Sequence, residues 1–298
     1  MLVRWQSVKS IPFDSEPFPF SRFEACCPDM DAKTAPNGYV PCKRHPMPRV
    51  LGTKVDFTSD MVRPSMERHL MVCVGEEGAE WTRSKVEAVQ DGVVAAIGQF
   101  KTEWIREQRK NSSIQTIPDT DKAIFPTVAE RPSDHPWPIC DVVVFPDFRI
   151  YPAVRPDDLR SSSFSKALDT LWRDPTAELP EGAKEMADVD AVVLVCTHTQ
   201  RDKRCGVMGP LIVNEFRRVL KTKGLLKEGA QGKVEVWGTS HFGGHKFAGN
   251  VIIHQKGLGG QIYGNVRECH VESIVNRHII HRKVIKELWR GPMTPILE

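Results

Sequence analysis

The chain has 298 residues, 41 basic against 38 acidic side chains, and a hydrophobic fraction of 40%. That composition supplies real cores for one or two domains and excludes wholesale disorder. No apolar run approaches the roughly 20 residues of a membrane helix, the longest being the half-dozen around Ala191 to Cys196. A formal net charge of +3 argues against a dedicated nucleic-acid binder, which needs a concentrated basic face. Eight cysteines are too sparse for a disulfide scaffold. The first residues lack the apolar stretch of a secretory signal, being broken by Arg4, Gln6 and Lys9, so a reducing compartment is expected. Residues 1–13, basic and without acidic groups, bear a weak likeness to a mitochondrial presequence.

In chain order, residues 1–66 read as an irregular arm rich in Pro, Asp and Cys. The run from His69 to Val74 reads as a buried strand. Val86, Val89, Val93, Ile97 and Phe100 give helical spacing over 81–106, and the polar, proline-rich stretch 107–138 reads as loop. Strands are expected over 141–145 and 148–154 around a Pro146-Asp147 turn. A short helix at 166–172 and a linker ending near residue 183 follow. The second half predicts a strand over 190–195 and a helix opened by Gly209-Pro210. It continues with strands at 234–237, 250–254 and 261–266, and a last helix over 271–289. The order β-α-β-β-β-α is the thioredoxin-like α/β plan. The expected division is an arm (1–66), an N-terminal α/β domain with linker (67–182) and a thioredoxin-like domain (183–298). The first α/β half is a candidate degenerate copy of the second.

Two segments of the second half concentrate reactive side chains. Cys196 ends one strand and Cys205 follows in a basic loop; His241 and His245 follow another strand, separated by Phe242 and two glycines. Loops at the carboxyl ends of parallel strands converge, so two thiols and two imidazoles can meet there. That donor set suits tetrahedral zinc or a 2Fe-2S cluster. The eight residues between the cysteines lean slightly toward the larger group. His198 is the competing donor, read as solvent-facing or as a support for the others. Cys73, Cys140 and Cys269 sit in or beside apolar segments and read as core, while Cys26, Cys27 and Cys42 lie in the arm. The chain has no C-x-x-C motif, which weakens a thiol-disulfide oxidoreductase, and no paired-carboxylate signal for glycoside hydrolysis.

The segments 196–210 and 241–250 resemble the signature of the fungal sucrase/ferredoxin-like family of thioredoxin-like 2Fe-2S ferredoxins. The likeness extends to Tyr263-Gly264-Asn265-Val266 and Trp289-Arg290-Gly291, and more loosely to Leu51-Gly52-Thr53 and Val144-Phe145-Pro146-Asp147. Met208-Gly209-Pro210 and the chain length are closer to the family's mitochondrial member than to its cytosolic one. The resemblance implies that Cys196, Cys205, His241 and His245 ligate one 2Fe-2S cluster and that the protein carries single electrons. With two neutral imidazoles the oxidised ligand set sums to zero net charge. Such a centre should sit above plant-type ferredoxins in potential and lose imidazole protons on oxidation. A helix N-terminus near Cys205, with Arg201, Lys203, Arg204 and Lys246 as a basic rim, is expected to favour the reduced state and an acidic redox partner.

Overall fold

The computed structural model describes residues 11–18, 42, 44–45, 47–62, 65–110 and 124–297. Its centre is a ten-stranded sheet. The strands are β1 (Arg68–Cys73), β2 (Ile124–Ala129), β3 (Cys140–Phe145), β4 (Arg149–Val154) and β5 (Lys184–Glu185), then β6 (Ala191–Cys196), β7 (Val234–Thr239), β8 (Val251–Gln255), β9 (Gly259–Tyr263) and β10 (Trp289–Thr294). The helices are α1 (Arg49–Thr53), α2 (Val93–Lys110), α3 (Ser163–Arg173), α4 (Lys203–Thr222) and α5 (Glu268–Ile274).

The order across the sheet is β10-β9-β8-β6-β7-β2-β1-β3-β4-β5. Within it, β6 and β7 are parallel with β8 and β9 antiparallel beyond β6, which is the thioredoxin-like arrangement. The first half repeats the order: β2 parallel to β1, then β3 and β4 antiparallel. The two units join where β2 and β7 meet at Ala129 and Thr239. Helices α2 and α3 cover Leu70, Val72, Val142 and Val144 on one outer face, and α4 and α5 cover Val193, Val195, Val251 and Ile253 on the other. Opposite side chains of the same strands, among them Met71, Val143 and Phe145 of one half and Leu194, Cys196 and Ile252 of the other, share a third core between the half-sheets. This is why β1, β3 and β6 are buried along their whole length, β6 as an unbroken apolar run and the other two apolar but for Arg68, His69 and Asp141. A polar chain threads this inner core: His69 Nδ1 lies 2.9 Å from His254 Nε2, and His69 Nε2 lies 2.8 Å from Thr127 Oγ1.

Several expectations are corrected. The stretch 107–138 contains β2, a strand that bears Pro126; its ladder is full only on the β1 side, so the missing amide is tolerated. Helix α2 begins at Val93 rather than 81, because residues 79–92 form short turns around the buried Glu80. Helix α3 spans Ser163–Arg173, capped by the Ser162 hydroxyl accepting from the Ser165 amide. Helix α4 starts at Lys203, seven residues before Pro210, because the Asp202 carboxylate caps it by accepting from the Arg204 amide. The last helix is short. After α5 and a wider turn over Val275–Ile280, the chain turns at Arg282 and ends as edge strand β10 on β9. The described parts of the arm are packed: Ile11, Phe18, Leu51, Val55 and Phe57 join the core under α4 and α5. No described helix is long and apolar enough to cross a membrane.

Candidate metal centre

Cys196 is the last residue of β6, and its side chain faces the inner core. Cys205 lies in the first turn of α4. Gly209 lets α4 lie on the chain leaving β6; a Cβ there would collide with the Cys196 carbonyl. His241 follows β7 by two residues on a segment fixed by the Ser240 amide donating to the Val128 carbonyl, 2.9 Å. The result is that Cys196 Sγ, Cys205 Sγ and a His241 ring nitrogen all lie within 4.8 Å of one another. His245 falls outside that radius but stands beside His241, ring centroids 5.2 Å apart. The Nδ1 atoms of His241 and His245 are buried and have no hydrogen-bond partner. Buried polar atoms are rarely left so.

The electrostatics match a shielded cluster of donors. The neighbouring Cys205 thiol, and then burial, holds the Cys196 thiol well above its ordinary range. Burial, then the proximity of His245, lowers the His241 imidazole to about 4. Both shifts follow from crowding these groups together away from water. All six described cysteines are buried, with Cys73, Cys140 and Cys269 in the core as expected. Cys26 and Cys27 lie outside the described residues; Cys42 is buried with its sulfur 3.6 Å from His45 Nδ1.

His198 is neither solvent-facing nor available as a donor. It is buried, its Nε2 lies 2.7 Å from the Arg83 carbonyl, and its Nδ1 faces the His241 amide at 3.4 Å. That bond to Arg83 places the proton on Nε2 and leaves Nδ1 to accept, so the ring ties the His241 segment to the first half of the chain. The turn between the histidines has a second brace that the spacing did not announce. The Asn250 side-chain amide donates to the Gly244 carbonyl (2.9 Å), and Arg290 Nη1 donates to Asn250 Oδ1 (2.6 Å) and, more weakly, to the Gly243 carbonyl (3.4 Å). The basic rim is smaller than expected. Arg204 is held by Asp202 through two 2.8 Å bonds and the exposed Lys246 pairs with Asp56 at 3.1 Å, while Arg201 and Lys203 are exposed beside them.

Among relatives, the protein named altered inheritance of mitochondria protein 32 from Clavispora lusitaniae is 45% identical over 100 residues, 34% of each chain. The Debaryomyces hansenii protein of that name is 43% identical over 102 residues, 34% of this chain and 35% of that one. Actin patches distal protein 1 of Saccharomyces cerevisiae is 31% identical over 188 residues, 57% of this chain and 58% of that one. The match thus spans about a third of the first two relatives' length. A thioredoxin-like [2Fe-2S] ferredoxin from Aquifex aeolicus aligns at 16% identity and a TM-score of 0.28, over 36% of this chain and 96% of that one. A sucrase/ferredoxin-like family model runs from residue 62 to 291, through both half-sheets and all four donors, and the chain belongs to that family.

Proposed function

We propose that the protein is a one-electron carrier whose 183–298 unit holds a 2Fe-2S cluster through Cys196, Cys205, His241 and His245. The observation that carries the reading is the sorting of donors into two pairs. The two sulfurs stand within 4.8 Å of each other at one side, and the two imidazoles stand ring beside ring with both Nδ1 atoms buried and unpartnered. A two-iron centre with mixed ligation takes its ligands in such pairs. Bound there, the cluster would take up and release single electrons. The chain's own groups hold the donors in place: His198 fixes the His241 backbone, Arg290 and Asn250 hold the turn to His245, and Asp202 caps the helix that presents Cys205. Phe242 and Trp237 pack behind them in the inner core and keep water from that side.

A single zinc ion is the second reading, favoured by the three donors within 4.8 Å of one another. Absorption and electron paramagnetic resonance of anaerobically purified, dithionite-reduced protein separate the two. Visible charge-transfer bands and a reduced-state signal are expected; colourless protein with one zinc and no labile sulfide refutes the cluster. His241→Cys and His245→Cys are each expected to keep a coloured centre at lower potential with weaker pH dependence, and titrations identical to the parent would remove the histidines from the ligand set. The exposed Arg201 and Lys203 support an acidic protein partner. The names of the yeast relatives support a mitochondrial setting.

A further inference from the structure

A cleft of about 440 Å³ opens between the first half's α2, α3 and β2 and the loops that follow β6 and β7, within the size range of small-molecule sites. Its floor is apolar, made by Ile97 of α2, Ile124 of β2 and Trp172 of α3, and His241 stands in its wall. Lys85 and Arg201 face it from opposite halves of the chain, both exposed, with Lys101 nearby engaged by another part of the chain and Glu87 as the opposing carboxylate. Gly98 also lines it. This residue lies inside α2, where glycine is among the least favourable choices, and a Cβ there would meet nothing within 4 Å. A larger side chain would therefore fit the fold and occupy the cleft.

We propose that this cleft binds a small planar aromatic anion. The ring lies on the apolar floor, and its acidic group meets the Arg201 guanidinium and the Lys85 ammonium, an arrangement in which a planar fork and a point charge close on one anion from two sides. Neither element suffices alone: the floor offers a neutral ring no orientation, and the two cations stand too open to water to hold an inorganic anion. The site goes beyond electron transfer and stands on the protein's own walls, whatever metal the donors hold.

The test is calorimetric titration of the full chain with naphthalene-2-sulfonate, set against 2-naphthol and inorganic sulfate. Saturable binding at one site per chain is expected, about tenfold or more tighter than 2-naphthol, with no binding of sulfate. Lys85→Gln with Arg201→Gln should weaken the sulfonate about tenfold. Gly98→Leu should abolish binding without lowering the thermal midpoint, and Gly98→Ala should keep it. Non-saturable titration, 2-naphthol binding as tightly as the sulfonate, or Gly98→Leu binding like the parent overturns the proposal. Metal and sulfide analysis of the same samples keeps the two readings apart: binding by protein that contains zinc sinks the cluster alone, and a loaded cluster without binding sinks the cleft alone.

Discussion

The turn between the candidate imidazoles allows a sharp test of how the site is held. Gly243 and Gly244 both have positive φ, 95° and 72°, but their surroundings differ. A Cβ on Gly243 meets nothing within 4 Å, whereas one on Gly244 falls on the Arg290 guanidinium. Gly243→Ala should therefore cost only the backbone strain, about 1–2 kcal/mol. Gly244→Ala adds the displacement of Arg290 from Asn250, a charged hydrogen bond of 2.6 Å whose loss is worth about 1.5–3 kcal/mol. Its total is about 2.5–5 kcal/mol, or a thermal midpoint lowered by about 5–10 °C at roughly 2 °C per kcal/mol for a chain of this size. Midpoints of the two variants, repeated in an Arg290→Met background, give a double-mutant cycle. With the guanidinium gone, the Gly244→Ala penalty should fall to that of Gly243→Ala. Equal penalties in the parent, or a Gly244→Ala penalty that Arg290→Met leaves unchanged, would refute the account of Arg290 as the clamp on this turn.

Three further outcomes are expected. Asp202→Ala removes the cap of α4 and the partner of Arg204, and should lower stability to urea by about 1–2 kcal/mol. Burial holds His254 well below the ordinary imidazole range, and burial with nearby Arg282 lowers His278 to about 3. Both are neutral when folded and gain protons on unfolding, so their contribution is complete above about pH 6.5 and is lost as the pH falls from there toward 3, by up to about 1.4 kcal/mol per pH unit for each. A urea midpoint unchanged between pH 7 and pH 5 would contradict that sign. Burial pushes the Cys73 and Cys140 thiols up to about 12, so a thiol reagent at neutral pH should label neither until the chain unfolds, as peptide mapping after native labelling would show.

What the sequence made legible follows from which forces are local. Strands β3 and β6 announce themselves because both their faces are buried and every position but Asp141 is apolar. Strands β2 and β10 do not, since Pro126, Gly291 and Pro292 speak against strand and only pairing with β1 and β9 overrides them. Gly206, Gly209 and Pro210 likewise hid the start of α4, where one capping aspartate and packing on the Cys196 segment outweighed helix propensity. The candidate donors Cys196, His241 and His245 stand out because each lies at a strand end or a short, countable step after one, and Cys205 because it falls beside a helix start. Their supports do not. Arg83 meets His198 across 115 positions and Arg290 meets Asn250 across 40, and no local pattern encodes such a contact.

Among the described residues, the corresponding place in the first half carries a different set of side chains. Strands β1 and β6 each end in a buried cysteine, Cys73 and Cys196, and β2 and β7 leave their last paired residues in the same way: the Glu130 amide donates to the Gly238 carbonyl as the Ser240 amide does to that of Val128. Two residues beyond the strand end stands His241 in one half and Arg131 in the other. Arg131 lies beside Cys73, bonds Asp141 at 3.4 Å and reaches Glu235 at 3.7 Å. A fixed guanidinium with two carboxylates thus occupies the place where the second half gathers thiols and imidazoles. There the guanidinium itself supplies the positive charge that the carboxylates meet, so the same skeleton gathers thiols and imidazoles in one half and a partly buried ion-pair group in the other.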